Sequence, residues 1–244
     1  MHHRPVYGLD IETDTPPGLG DVPDPRVARV RTVALSMPAG DRTFSGSEPE
    51  MLGELDEALR QLEPGILATW NGAAFDLPYL ADRAEMWGLH LGLRLAADRH
   101  LRVRGEVLRG HAGAYRAGWY GHRHLDASRL FGSGRRPLLD VDELLRSLGL
   151  RSTARRPAGI GPADVPGSEL THKAIHAFAA NDARLVRVMV AQRLPAAGRQ
   201  VDRIVVASET AVRSAANASA LSGRTRPPLS PAHPAVRAML SAQR

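Results

Sequence analysis

The segment Tyr7 to Thr13, Tyr-Gly-Leu-Asp-Ile-Glu-Thr, is an apolar run carrying two acids two residues apart. Side chains on a strand alternate between faces, so as a strand it sets Asp10 and Glu12 on one side and Leu9 and Ile11 on the other. Two carboxylates held together repel and add nothing to stability; the arrangement makes physical sense when a cation lies between them. The alternative is a strand end with two solvated acids, because so short a pattern also arises by accident.

Composition narrows the choice. A chain of 244 residues holds one large domain, or one domain with appendages, and can bury a proper core. No apolar run approaches the length of a membrane span, and Met1-His2-His3-Arg4 leads directly into the first strand rather than into a signal peptide, so a cytoplasmic protein with no membrane partner is expected. The absence of cysteine excludes disulfides and thiolate metal sites, which leaves oxygen or imidazole as metal ligands. A net charge of +6 and an isoelectric point near 10.6 favour polyanionic partners. Lys173 is the only lysine; the other basic side chains are arginine forks, which suit phosphate.

The rest of the chain reads as alternating strands and helices. Val27 to Met37 alternates as a strand, and Arg42 to Ser45 follows a turn as the next, which gives an antiparallel meander. Ser47 and Glu50 form a capping-box signature before Met51, Leu52, Leu55, Ala58, Leu59 and Leu62, spaced as a helix that stops at Pro64-Gly65. Ile66 to Trp70 is a short strand, and Phe75 to Trp87 has helical periodicity, so Asp76 stands at a strand-to-helix junction where ligand crevices form. An acid there also serves as a plain helix cap. From Leu93 to His124 arginines are interleaved with Tyr115, Trp119 and Tyr120, which suits a phosphate backbone and stacked bases, or else a solvated, mobile insertion; within it Arg102 to Leu108 reads as part of a hairpin. His100, His111, His122 and His124 are spaced too irregularly for a metal cluster and read as surface or polar contacts. A strand at His124 to Ala127, a helix at Leu138 to Leu150 and a long helix from about Ser168 to Arg193 complete residues 1–194; residues 195–244 read as a basic, helical and Pro-rich appendage, partly flexible.

Three stretches together carry a resemblance. Asp10-Ile11-Glu12, then Asn71-x-x-x-Phe75-Asp76-Leu77-Pro78-Tyr79-Leu80, then Phe178-x-x-x-Asp182-Ala183-x-Leu185 resemble, in order, the three motifs of the DEDD superfamily of 3′–5′ exonucleases, and most of all the proofreading exonuclease domain of family-B DNA polymerases. Leu125 to Arg129 and Leu139 to Leu145 resemble a strand and helix of the same group. The resemblance implies a ribonuclease H-like fold, an α/β mixed sheet flanked by helices. It implies that Asp10, Glu12, Asp76 and Asp182 ligate two divalent cations, Mg²⁺ or alternatively Mn²⁺, whose four positive charges four carboxylates would balance. It further implies hydrolysis of single-stranded 3′ ends, DNA rather than RNA, into nucleoside monophosphates, with Asn71 and Phe75 contacting the terminal nucleotides.

One position departs from the family pattern. Where the tyrosine subgroup has a hydroxyl that orients the attacking water, this chain has Phe178, and the position of the histidine subgroup is Ala177. His176, six residues before Asp182, points about 120° away from it on a helix. Phe178 therefore reads as a core residue bordering the substrate, and reduced activity is expected. The alternatives are a nuclease-derived nucleic-acid-binding module of a repair or replication complex, and an exoribonuclease trimming RNA 3′ ends. With no polymerase module read in the chain, proofreading would require a separate partner.

Overall fold

The structure, a computed structural model, describes residues 4–14, 22–101, 103, 107–131 and 172–193. Strands β1 (Val6–Thr13), β2 (Val30–Met37) and β3 (Gly40–Ser45) form the expected antiparallel meander. Helix α1 (Glu48–Gln61) crosses back so that β4 (Ile66–Thr69) runs parallel to β1. Helix α2 (Asp76–Met86), strands β5 (Leu93–Ala97), β6 (Tyr115–Trp119) and β7 (His122–Asp126) and the short helix α3 (Ala127–Phe131) follow. A helix over 172–193, here α4, is the last described element. The seven strands make one mixed sheet in the order β3-β2-β1-β4-β7-β6-β5.

Alternation along β1 divides the molecule into layers. Tyr7, Leu9 and Ile11 join Val33, Leu35 and the apolar faces of α1 and α2 in the main core. In α1 the residues Leu52, Leu55 and Leu59 are fully buried, as their helical spacing requires, and each contributes about 1.5–3 kcal/mol. On the opposite face Val6 packs with Ile66, Ala68 and Leu125 against Val186 and Val190 of α4.

The first residue of α1 carries a buried polar knot. Glu48 accepts hydrogen bonds from the Val30 amide (2.7 Å), from Arg83 Nε (2.8 Å) and from Trp87 Nε1 (2.8 Å), and its Oε2 forms an ion pair with Arg83 Nη2. Arg83 also donates to the Pro25 carbonyl at 2.8 Å, which joins α2 to the turn before β2.

Several expectations change. The basic stretch Leu93 to His124 is not a solvated insertion; it supplies β5, β6 and β7, although residues 102 and 104–106 of the suggested hairpin lie outside the described residues. His122 and His124 are buried: His122 lies 2.7 Å from the Leu59 carbonyl, and His124 lies 2.8 Å from Thr69 Oγ1. Strand β2 begins at Val30, because the amides of Val27 and Ala28 close a turn onto the Asp24 carbonyl. Ser47 precedes α1 without a side-chain cap bond, and Glu48 rather than Glu50 makes the anchoring contacts. The helix at Leu138 to Leu150 and the appendage over 195–244 lie outside the described residues.

Candidate active site

The acids of β1 lie on the face covered by α4. Gly8, Asp10 and Glu12 share that face by alternation, and at Gly8 any Cβ would collide with the Ala183 carbonyl oxygen. Asp10 pairs in register with Ala34, and Ala34 packs against Ala179 and Ala183. Ala179 and Ala183 bracket Asp182 in the helix sequence. Small residues on both sides therefore let α4 lie directly on β1, bringing the turn that contains Phe178 and Asp182 to the strand that contains Asp10 and Glu12. Arg187 Nε donates to Ser36 Oγ at 2.9 Å, and Ser36 Oγ donates to Asp41 at 2.6 Å, which ties the same helix to β2 and β3.

Asp76 reaches the site from the other side. It is the first residue of α2, 5% exposed, and its carboxylate accepts the backbone N–H of Ile11. Burial is the main cause that pushes its carboxyl up to about 8; the charges of Asp126 and Glu12 act in the same direction, against the backbone donors of Asp76 itself and Ile11. Glu12 and Asp76 are thus electrostatic neighbours contributed by different elements. At Gly72 a Cβ would stand 2.8 Å from Asp76 Oδ2, so this turn has no space for a side chain.

Asp126, at the end of β7, organises the turn. Its carboxylate accepts the amides of Asn71 (2.9 Å), Ala73 (3.2 Å) and Ser128 (3.1 Å) and the Ser128 hydroxyl (2.6 Å), with Arg129 Nε at 3.8 Å. These bonds hold Asn71 at φ 64°, a left-handed conformation that asparagine tolerates. In the sequence Asp126 belongs only to a stretch that resembles a strand of the family. The Asp-x-Ser step at a strand end, an Asx-type capping pattern, is the signal that marks its role. Asn71 is exposed in the β4–α2 turn, while Phe75 is half-buried against the main core with its ring 5.3 Å from Tyr79. Phe178 is half-buried one helical turn before Asp182.

The donor set fits a hard divalent cation: all four candidates are carboxylates, and one buried carboxyl is crowded by other acids with burial opposing its ionisation. Among the described residues no three carboxylate or imidazole side chains stand close enough together to hold one ion.

The mixed sheet with helices on both faces is a ribonuclease H-like fold. The structure of the family B DNA polymerase from the hyperthermophilic archaeon Pyrobaculum calidifontis superposes with a TM-score of 0.58 at 19% identity, covering 79% of this chain and 24% of that one. Residues 8–111 match the model of the exonuclease domain of DNA polymerase family B. The DNA polymerase of Pyrococcus glycovorans is 45% identical over 47 residues, 19% of this chain and 6% of that protein. That of Thermococcus aggregans is 44% identical over 45 residues, 18% of this chain and 2% of that protein. The chain thus matches only a small part of these relatives' length. The matched region contains Asp10, Glu12, Asn71, Phe75 and Asp76, whereas Asp126 and Asp182 lie beyond it.

Proposed function

We propose that this chain is a metal-dependent 3′–5′ exonuclease that removes nucleoside monophosphates from single-stranded 3′ ends, DNA in preference to RNA, with Asp10, Glu12, Asp76 and Asp182 as ligands of two Mg²⁺ or Mn²⁺ ions. The observation that carries this reading is the approach of α4 to β1 at Gly8, with Asp76 held on the Ile11 amide beside Glu12. Cations bound there would neutralise the carboxylates, favour attack by water and stabilise the departing 3′ oxygen. The chain's own contribution is positioning. Asp126 fixes the turn from which Asn71 presents its amide and Phe75 its ring to the terminal nucleotides. Phe178 adds apolar surface beside Asp182 and no hydroxyl, so the water is oriented without the usual side-chain help.

Oligonucleotides labelled at the 3′ or the 5′ end, incubated with the full chain in Mg²⁺ or Mn²⁺, test the reading. A ladder shortening from the 3′ end is expected, and is slowed roughly 10²–10³-fold in Asp10→Ala. No shortening with either metal would overturn it. The identity of Phe178 favours one second reading, a binding module in a repair or replication complex. That reading expects salt-sensitive binding of single strands that survives Asp10→Ala, with no turnover by the wild type. DNA and RNA of one sequence, compared side by side, decide the substrate.

A further inference from the structure

One strand across from Glu12 lies a groove of about 340 Å³ lined by Arg29, Arg31, Thr32, Ser45, His172 and His176, among others. Its construction is unusual in one respect. Thr32 pairs with Glu12, but the next pair outward is Val30 with Thr13, so Arg31 is an extra residue in β2. Such a bulge re-aims side chains. Val30 accordingly enters the main core, while Arg31 Nη2 lies 3.4 Å from His172 Nε2 on α4, the helix covering the acidic face. Without the extra residue, alternation would send Arg31 to the α1 side with Val33.

The groove is electropositive and partly enclosed. Arg29 Nε and Arg31 Nε share a single carboxylate, Asp14, at 2.9 and 3.3 Å, so one negative charge faces two guanidinium groups that keep further N–H donors. The Arg31 side chain is only 22% exposed, so an anion reaching it meets a charge partly shielded from water. The groove is also close to the chemistry. Thr32 is the cross-strand neighbour of Glu12, on a strand about 4.8 Å away, and His176 precedes Asp182 by about 9 Å along the helix. That is a step or two along a nucleotide chain.

We infer that this groove binds a backbone phosphodiester of the substrate strand, one or two linkages upstream of the bond being cut. This rests on the exonuclease reading. Arg31 is the principal donor, Arg29 adds charge, the His176 ring donates an N–H to the same phosphate, and Ser45 with Thr32 shapes the pocket.

The test uses the full chain and oligonucleotides in which one linkage at a time, the first or second upstream of the scissile bond, is an uncharged methylphosphonate. The wild type is expected to lose about tenfold in kcat/KM at one of these positions, the equivalent of one charge-assisted hydrogen bond. Arg31→Gln and His176→Gln, checked for unchanged thermal midpoints, are expected to be slower on the all-phosphate strand and to lose that position dependence. Arg31→Gln also removes the contacts to Asp14 and His172, so His176→Gln decides the matter where Arg31→Gln folds poorly. Equal sensitivity in wild type and variants overturns the inference, as does a wild type indifferent to both linkages. Relief of inhibition by a free nucleoside monophosphate, with the methylphosphonate effect intact, would assign the groove to the released product and also overturns it. A wild type with no 3′ trimming defeats the exonuclease reading instead. Fluorescence anisotropy with the same oligonucleotides in EDTA then decides the groove, with weaker binding by the variants expected and equal binding overturning it.

Discussion

Glu48 and Asp76 occupy equivalent places and differ in their surroundings. Each is the first residue of its helix, and each is 5% exposed. Glu48 is surrounded by donors: the Arg83 guanidinium, the Trp87 indole and the Val30 amide. Asp76 has the carboxylates of Asp126 and Glu12 as its electrostatic neighbours and backbone amides as its donors. A buried acid with its own arginine closes the fold. A buried acid among other acids raises the energy of the protein alone, and a cation from solution removes that cost. The difference separates a carboxylate that closes the fold from a candidate metal ligand more sharply than burial does.

The contrast can be broken at either end. Arg83→Ala leaves Glu48 buried without its cation and should lower stability by about 3–5 kcal/mol, read as a denaturant midpoint, while activity per folded molecule is unchanged. Asp10→Ala should do the reverse, lowering kcat by roughly 10²–10³-fold with the midpoint retained, as loss of one electrostatic element of a site does. A third effect involves His124, buried against Thr69 and held down at about 4, below the 6.5 of an exposed imidazole, first by burial. Between pH 6.5 and 4 the unfolded chain takes up a proton at His124 that the folded chain refuses, so the contribution of this one group to stability falls by about 3 kcal/mol as pH falls through that window, while Asp76, already protonated in the folded chain, contributes in the opposite direction. His124→Gln should remove the falling contribution and leave stability at pH 4, relative to pH 6.5, higher than in the wild type in pH-dependent urea titrations. Mg²⁺ at about a hundred times its dissociation constant should stabilise the wild type by about 2.7 kcal/mol and leave Asp76→Asn less affected, measured by thermal shift with and without EDTA. The smallest effect is Phe178→Tyr, expected to raise kcat by about tenfold, below the roughly 10²–10⁴ of a fully placed general base. An unchanged or lower rate would count against the role given to that position.

Much of this was legible in the residues because the signals are periodic. Alternation around Asp10 and Glu12 yields β1 and its two faces, and 3.6-residue spacing yields α1, α2 and α4. Strands β5 and β6 were hidden because Arg94 and Arg116 sit in short, half-buried segments at the sheet's far end, where alternation between arginine and small apolar residues looks like a charge run. Arg116 there pairs with Asp98, a contact between residues distant in sequence. The candidate site is legible as a set of acids, but the contacts that support it are not. Asp126 acts through backbone amides, which carry no residue identity, and the re-aiming of Arg31 depends on one unpaired position in a strand register.

Gly8 has a consequence for behaviour on heating. Because α4 rests on β1 through backbone atoms at that point, the separation of the two acid-bearing elements is set by contact between main chains. It does not depend on the rotamers of an intervening side chain, which loosen progressively as temperature rises. Catalytic geometry should therefore persist until the sheet itself melts. An Arrhenius plot of trimming rate should stay straight up to the unfolding transition and then end abruptly, so that failure comes as a cliff rather than a slope.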